Sequence, residues 1–277
     1  MKLRTKSSGR QAPNHPEQVF RLDGRIALVT GATGHLGEPV TRALCAAGAH
    51  VIVNARNGGS ASRLAQNLKS RGLQATALAF DVTDEKKVRL AIKKIETEFG
   101  CLDIVVNNAY SGRPGTIVGA TTKDFADAYR ICVEAAFSIV QMAHPLLKRG
   151  VSAKRGGASV VNIASMYGSV SPDPRIYGDS GANNPPFYGP AKAGLIQLTR
   201  YLACHLALDR IRVNAISPGG IYDKQAPSFV KRYCKEVPLG RMASPSDIVG
   251  GVIYLASEAS SYVTGQNLMI DGGWSTW

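Results

Sequence analysis

Tyr188 and Lys192 stand four residues apart in the stretch Phe187-Tyr188-Gly189-Pro190-Ala191-Lys192. On a helix that spacing puts both side chains on one face, where an ammonium favours the phenolate and lowers the phenol's pKa. The pair is a candidate proton donor and acceptor. Taken alone the spacing is weak, and its weight comes from a glycine-rich turn upstream, Thr30-Gly31-Ala32-Thr33-Gly34-His35-Leu36-Gly37. The apolar run Ile26-Ala27-Leu28-Val29 leads straight into that turn and a helix is expected after it. In this setting missing Cβ atoms let the backbone approach a pyrophosphate, whose charge faces the N–H groups and positive end of the helix. Gly31, Thr33, Gly34, His35, Leu36 and Gly37 are therefore candidate cofactor contacts, a tight strand-to-helix turn being the plainer alternative.

The second apolar run, Val51-Ile52-Val53, ends in Asn54-Ala55-Arg56-Asn57. An NAD-binding site usually shows a carboxylate here for the ribose 2′-hydroxyl. This chain offers none, and Arg56 can pair with a phosphate bidentately, so NADP(H) is expected over NAD(H), with Asn54, Arg56 and Asn57 as contacts. Asp81, after the third run in Phe80-Asp81-Val82, is placed to accept from the adenine amino group, with Val82 beside it. Asp81 could instead cap the next helix, a role open to Asp84 as well.

Short apolar runs alternate with amphipathic segments along the chain, which calls for parallel strands joined by crossover helices. Strands are expected at 26–29, 51–53, 75–80, 104–106, 159–163, 212–216 and 267–270. Helices are expected after Gly34 and over 60–70, 85–99, 123–147, 188–208 and 246–257. The fold class is α/β: one doubly wound parallel sheet of about seven strands with helices on both faces. Residues 1–20, with Lys2, Arg4, Lys6 and Arg10 among small polar residues, read as a flexible basic tail, and 21–277 as a single dinucleotide-binding domain.

Within 277 residues there is no run of some eighteen apolar residues, and the first twenty lack the apolar segment a secretory signal needs. A soluble, cytoplasmic protein is expected. Five dispersed cysteines suit reduced thiols, and no metal-ligand spacing exists among them or the histidines. The net charge of +13 is spread over the chain without a basic stripe bearing aromatics, which argues against nucleic acid and for a basic surface that attracts phosphates or carboxylates.

Together these features resemble the short-chain dehydrogenase/reductase superfamily, in its single-domain branch. The matching marks are the glycine turn, Asp81-Val82, Asn107-Asn108-Ala109, Ser165 in Asn162-Ile163-Ala164-Ser165, Tyr188 with Lys192, Arg212-Val213-Asn214, Pro218-Gly219 and the ending Thr264-Gly265-Gln266 to Asp271-Gly272-Gly273. The resemblance implies that Tyr188 is the general acid/base and that Lys192 assists it and holds the nicotinamide ribose. It implies that Ser165 orients the substrate oxygen, that Asn108 and Ala109 flank the inner ribose, and that Pro218, Gly219 and Ile221 line the nicotinamide. It also implies a homotetramer, to which the long helices and the segment with Trp274 and Trp277 would contribute, a self-buried tail being the alternative.

Four departures qualify the resemblance. The turn spacing T-G-x-x-G-x-x-G is commoner in the extended branch, yet this chain has no room for that branch's substrate domain. Tyr110 replaces the glycine that usually follows Asn-Asn-Ala, placing a bulky side chain among the cofactor contacts. Cys132 falls where an asparagine usually anchors a water in the proton relay, and a thiol hydrogen-bonds weakly. Either another group serves the relay, the enzyme is slow, or the correspondence shifts by a residue. Last, Ser165 and Tyr188 are separated by an enlarged, proline-rich segment, 167–187, expected to border the substrate pocket rather than form a surface excursion or subunit contact.

The resemblance implies that the loop 220–239, after the nicotinamide-binding turn, forms a mobile lid. Its Tyr222, Asp223, Lys224, Gln225, Lys231, Arg232 and Lys235 suit a polar or anionic ligand better than a steroid or long acyl chain. The function expected is therefore an NADP(H)-dependent oxidoreductase interconverting a secondary alcohol and a ketone on a polar, sugar-like or acidic small molecule. Reduction of a 3-oxoacyl group on a carrier protein is the alternative within enzymes, for which the lid should be apolar and cations should cluster at the pocket mouth. A catalytically silent nucleotide-binding protein is the alternative outside them.

Overall fold

A computed structural model describes residues 16–152 and 157–277. Seven parallel strands form one sheet in the order β3-β2-β1-β4-β5-β6-β7. Their spans are β1 Ile26–Val29, β2 His50–Ala55, β3 Ala75–Ala79, β4 Ile104–Asn107, β5 Ala158–Ile163, β6 Ile211–Pro218 and β7 Asn267–Ile270. The central strands β1, β4, β5 and β6 are near-continuous runs of buried, largely β-branched residues, as expected of a sheet covered on both faces.

One face is covered by α1 (Gly37–Ala46), α2 (Gly58–Lys69) and α8 (Pro245–Ala256), which bury Leu44, Leu68 and Val252 against Ala27, Val29 and Val53. The other is covered by α3 (Glu85–Phe99), α5 (Ala135–Ser152) and α6 (Tyr188–Leu206), which bury Ile95, Ile139 and Leu202 against Leu28 and Ile52. Adjacent residues of β1 thus serve opposite cores, following the period of two. The strand order reverses between β1 and β4, and in such sheets ligands bind outside the carboxyl ends of the strands at that point.

Most expected elements lie within a few residues of their observed bounds, and three differences bear on function. The helix expected over 123–147 is divided: α4 (Thr122–Tyr129) passes into α5 through a π-helical turn, Arg130–Glu134, with Cys132 on its buried side. The segment 220–239, read as a loop, contains helix α7 (Pro227–Glu236), whose Pro227 sits at the first helical position. Pro16–Phe20, counted with the tail, forms a 3-10 turn, and residues 1–15 lie outside those described. Among the described residues, no helix is long and apolar enough to cross a membrane.

Candidate active site

Strand β1 ends in Thr30, whose hydroxyl accepts from the backbone N–H of Asn108 (2.9 Å) and of Ala109 (3.1 Å). Asn108 reciprocates, its Nδ2 donating to the carbonyls of Thr30 (3.0 Å) and Gly31 (3.1 Å). The ends of β1 and β4 are thereby locked together under the glycine turn. Gly31 has φ +60°, and a Cβ there would come within 2.9 Å of Ala109 Cα; a Cβ on Gly37 would meet the Gly31 carbonyl oxygen at 2.0 Å. Gly34 differs, since its Cβ would meet nothing nearer than the Gly31 oxygen at 3.4 Å. Its bare backbone faces the cleft, which is what close approach of a ligand requires.

That cleft, of about 660 Å³, runs from Arg56 and Asp81 at one end to Tyr177 and Phe229 at the other. Every residue nominated from the sequence borders it except Asn57. Asn57 is the N-cap of α2, its side chain accepting from Ser60 N–H at 3.0 Å, so it serves the helix and not the cleft. Asn54 borders the cleft but is buried, and its amide is committed to backbone: Nδ2 donates to Leu78 and Phe80 carbonyls and Oδ1 accepts weakly from Gly31 N–H at 3.4 Å. Arg56, by contrast, is exposed at the cleft end. The cap of α3 is Asp84, which accepts from Lys87 N–H, leaving Asp81 facing the cleft. Burial works against ionising Asp81, but two hydrogen bonds from Thr83 and the nearby Arg56 charge outweigh it and hold the carboxyl below its ordinary range.

At the catalytic end, Tyr188 opens α6 and Lys192 follows one turn later. Lys192 is 5% exposed and donates from Nζ to the Ile163 carbonyl at 2.8 Å, which fixes it at the end of β5. Its ammonium lies 5.6 Å from the Tyr188 ring centroid and 5.2 Å from that of Tyr110, whose ring meets Tyr188 edge to face with centroids 5.2 Å apart. Tyr110 therefore braces the pair. Burial, then the neighbouring Tyr188, raises the Tyr110 phenol well above its ordinary range, so Tyr110 stays protonated. Ser165 caps the short turn Met166–Gly168, accepting from Tyr167 N–H at 3.2 Å, and borders the same cleft as Tyr188.

The far wall adds Phe229 and Tyr233, which no sequence motif marks, to residues of the two segments expected near the substrate. Phe229 and Tyr233, one turn apart on α7, and Tyr177 and Asn184 from the 167–187 segment border the cleft, together with Tyr167 and Gln225. The segment is thus a wall of the cleft, as expected. Tyr177, Phe229, Tyr233 and Trp274 form a continuous run of rings with successive centroids 5.4, 5.9 and 4.5 Å apart. Arg232 ties α7 to the segment, donating to the carbonyls of Ile176 (2.8 Å) and Tyr177 (3.1 Å). Burial pushes the Tyr233 phenol up to about 12, where its oxygen accepts from Gly220 N–H.

The lysines of the 220–239 segment, Lys224, Lys231 and Lys235, do not border the cleft and stand exposed. The polar composition of 220–239 therefore describes its outer side. Its inner side is aromatic because a helix segregates what a loop would mix. Trp274 is stacked on Tyr233 of its own chain, whereas Trp277 is exposed.

Comparison with known proteins identifies the family. A family model described as Enoyl-(Acyl carrier protein) reductase matches residues 31–275. An uncharacterized oxidoreductase of Mycobacterium tuberculosis is 35% identical over 261 residues, covering 92% of this chain and 94% of its own. Among solved structures, a gluconate 5-dehydrogenase from Burkholderia cenocepacia in complex with NADP and tartrate superposes with a TM-score of 0.85 at 29% identity, covering 95% of this chain and 100% of that one. A 7α-hydroxysteroid dehydrogenase complexed with NADH and 7-oxo glycochenodeoxycholic acid does so with a TM-score of 0.83 at 29% identity, covering 94% and 97%. Fold, glycine turn and these relatives converge: the chain belongs to the short-chain dehydrogenase/reductase superfamily and is an NAD(P)-dependent oxidoreductase acting on CH–OH groups.

Proposed function

We propose that this enzyme uses NADP(H) to interconvert a secondary alcohol and a ketone on a hydroxylated, sugar-like small molecule without a carboxylate. The observation that carries the substrate class is the far wall. Tyr177 and Phe229 border the cleft with aromatic rings suited to the C–H side of a saturated ring, and Asn184 offers an amide to its hydroxyls, the Gln225 amide being held by Asp223 N–H and the Ile221 carbonyl. The cations among the described lining residues, Lys192 and Arg56, belong to the catalytic pair and the adenosine end, leaving none placed for a substrate carboxylate. Among the polar, sugar-like and acidic molecules expected from the sequence, that favours the uncharged ones.

The cofactor reading rests on fit. The turn could not tolerate Cβ atoms at Gly31 or Gly37, and at Gly34 it leaves bare backbone toward the cleft. Arg56, exposed beside Asp81 and unopposed by a carboxylate on β2, would take the 2′-phosphate. When bound, the nicotinamide supplies hydride exchange. The chain's own residues do the rest. The Ser165 hydroxyl donates to the substrate oxygen and orients it. Tyr188 gives that oxygen a proton in reduction, or takes one in oxidation, and the Lys192 ammonium offsets negative charge on the phenol oxygen as its proton leaves.

The test is NADPH oxidation with keto-sugars and hydroxyketones, beside 3-oxoacyl thioesters. Tyr188→Phe is expected to lower kcat by roughly 10²–10⁴-fold with cofactor affinity unchanged; unaltered turnover would sink the mechanism. Preference for the thioesters would favour the second reading, a 3-oxoacyl-carrier-protein reductase, which the aromatic inner face of the lid also suits.

A further inference from the structure

Behind the catalytic pair lies a second, small cavity of about 10 Å³, roughly the room that one water molecule requires. Its walls include Asn107 from the end of β4, Cys132 from the π-helical turn, and Lys192. Asn107 is 7% exposed, and its Oδ1 has no hydrogen-bond partner among the described residues, a costly state for a buried acceptor.

The orientation of that amide is dictated by its neighbours. Thr199 donates its hydroxyl to the Leu195 carbonyl (2.8 Å), so toward Asn162 it can only accept, and Asn162 Nδ2 donates to it (2.9 Å). Asn162 must then present its oxygen to Asn107, whose Nδ2 donates to it at 2.8 Å. The chain runs one way, and it leaves Asn107 with an acceptor and no donor. Lys192 supplies the complementary need, for its ammonium carries three donors and only one is taken, by Ile163. Cys132, on the wall between them, offers only a weak donor, and burial raises its thiol above its ordinary range.

We propose that this cavity is a water site in which Asn107 is the anchor. The water accepts from Lys192 Nζ and donates to Asn107 Oδ1, so that Asn107 acts as a positioning residue for the catalytic ammonium through one buried water. The orphaned Asn107 acceptor thereby gains a donor, and the ammonium is held from behind as well as by Ile163. The proposal rests on Tyr188 and Lys192 being the proton-handling pair, but its first test needs no activity, so the two can fail separately.

That test is a crystal structure of the unsubstituted protein with NADP, at a resolution that shows ordered water. Density for one water within about 3.2 Å of both Asn107 Oδ1 and Lys192 Nζ is expected; a dry cavity, or a water that reaches only one of them, overturns the assignment. The second test compares Asn107→Val, which removes the acceptor, with Cys132→Leu, which fills the cavity and leaves Asn107 in place. Both are expected to lower kcat roughly 10-fold and displace the pH–rate profile, with the Kd for NADPH within about twofold of the parent. Parent-like kcat and pH profile in either variant, once folded, would overturn it. Should neither variant fold, the crystallographic result decides alone.

Discussion

The two ends of the cleft are built in opposite ways. At the nucleotide end, Thr30, Asn54 and Asn108 fasten the glycine turn to the ends of β1, β2 and β4, so that backbone faces the ligand and side chains point back into the fold. At the substrate end the walls stand outside the sheet: α7 and the 167–187 segment hold each other through Arg232 and a run of rings, and side chains face the ligand. The first arrangement suits a ligand that never changes, because strand ends are rigid. The second allows specificity to change without disturbing the sheet.

If backbone constrains the nucleotide end, a single methyl group should do more harm there than a lost side chain does opposite. Gly37→Ala is the largest effect expected, since its Cβ would sit 2.0 Å from the Gly31 carbonyl oxygen, backbone against backbone. Overpacking of this kind costs about 3 kcal/mol. In a domain of this size that lowers Tm by roughly 6–12 °C, and cofactor binding falls with it. Gly34→Ala separates the two causes. Its Cβ meets nothing nearer than 3.4 Å, so Tm should stay put while the Kd for NADPH rises by more than about 10-fold. Calorimetry and a cofactor titration read both; a Gly34→Ala protein with parent affinity would remove the argument that bare backbone faces the phosphates.

The same division explains what the sequence discloses. Contacts at the nucleotide end come from residues close together in sequence or at strand ends, so spacing exposes them: Gly31, Gly34, Gly37, Arg56 and Asp81 all border one cleft. Even there, spacing shows proximity and not allegiance. Asn57 turned out to cap α2, and Asn54 and Asn108 spend their amides on backbone. The substrate end was less legible because its wall depends on α7 being a helix. Pro227 at the first helical position and Phe229 and Tyr233 four apart are signals of that helix, but in a segment rich in lysine they do not stand out from a polar loop. The π-helical turn at Cys132 and the orphaned acceptor of Asn107 depend on long-range packing and leave no local trace.

A middle-sized effect tests whether any side chain matters at the nucleotide end. Arg56 is exposed and borders the cleft just past β2, so with Asp81 it is an exception to the backbone rule. Arg56→Ala should weaken NADPH roughly 10–100-fold, by loss of charged hydrogen bonds, and leave NADH unaffected. The penalty should shrink as salt rises, because an exposed ion pair is screened over about 8 Å at physiological ionic strength. Equal losses for both dinucleotides would mean that Arg56 supports the strand end instead of reading the phosphate.

The smallest effect belongs to the tie between the two substrate walls. Arg232→Ala removes the donors to the Ile176 and Tyr177 carbonyls, and neither is part of the sheet, so the fold should lose only about 1 kcal/mol and Tm should drop by roughly 2–4 °C. The consequence should appear instead in local order and in KM. Gly178, with φ +53°, packs where a Cβ would meet the Arg232 guanidinium, so arginine and glycine together set the position of Tyr177 over the cleft. Freed from that contact, 167–187 should exchange its amides faster and be cut sooner by protease, and the KM for substrate should rise several-fold while the Kd for NADPH stays constant. A rise in Kd of equal size would show that the two ends are coupled and that the substrate wall is not an independent attachment. Constancy of all three readings would mean that the ring stack from Tyr177 to Trp274 holds the wall without its arginine.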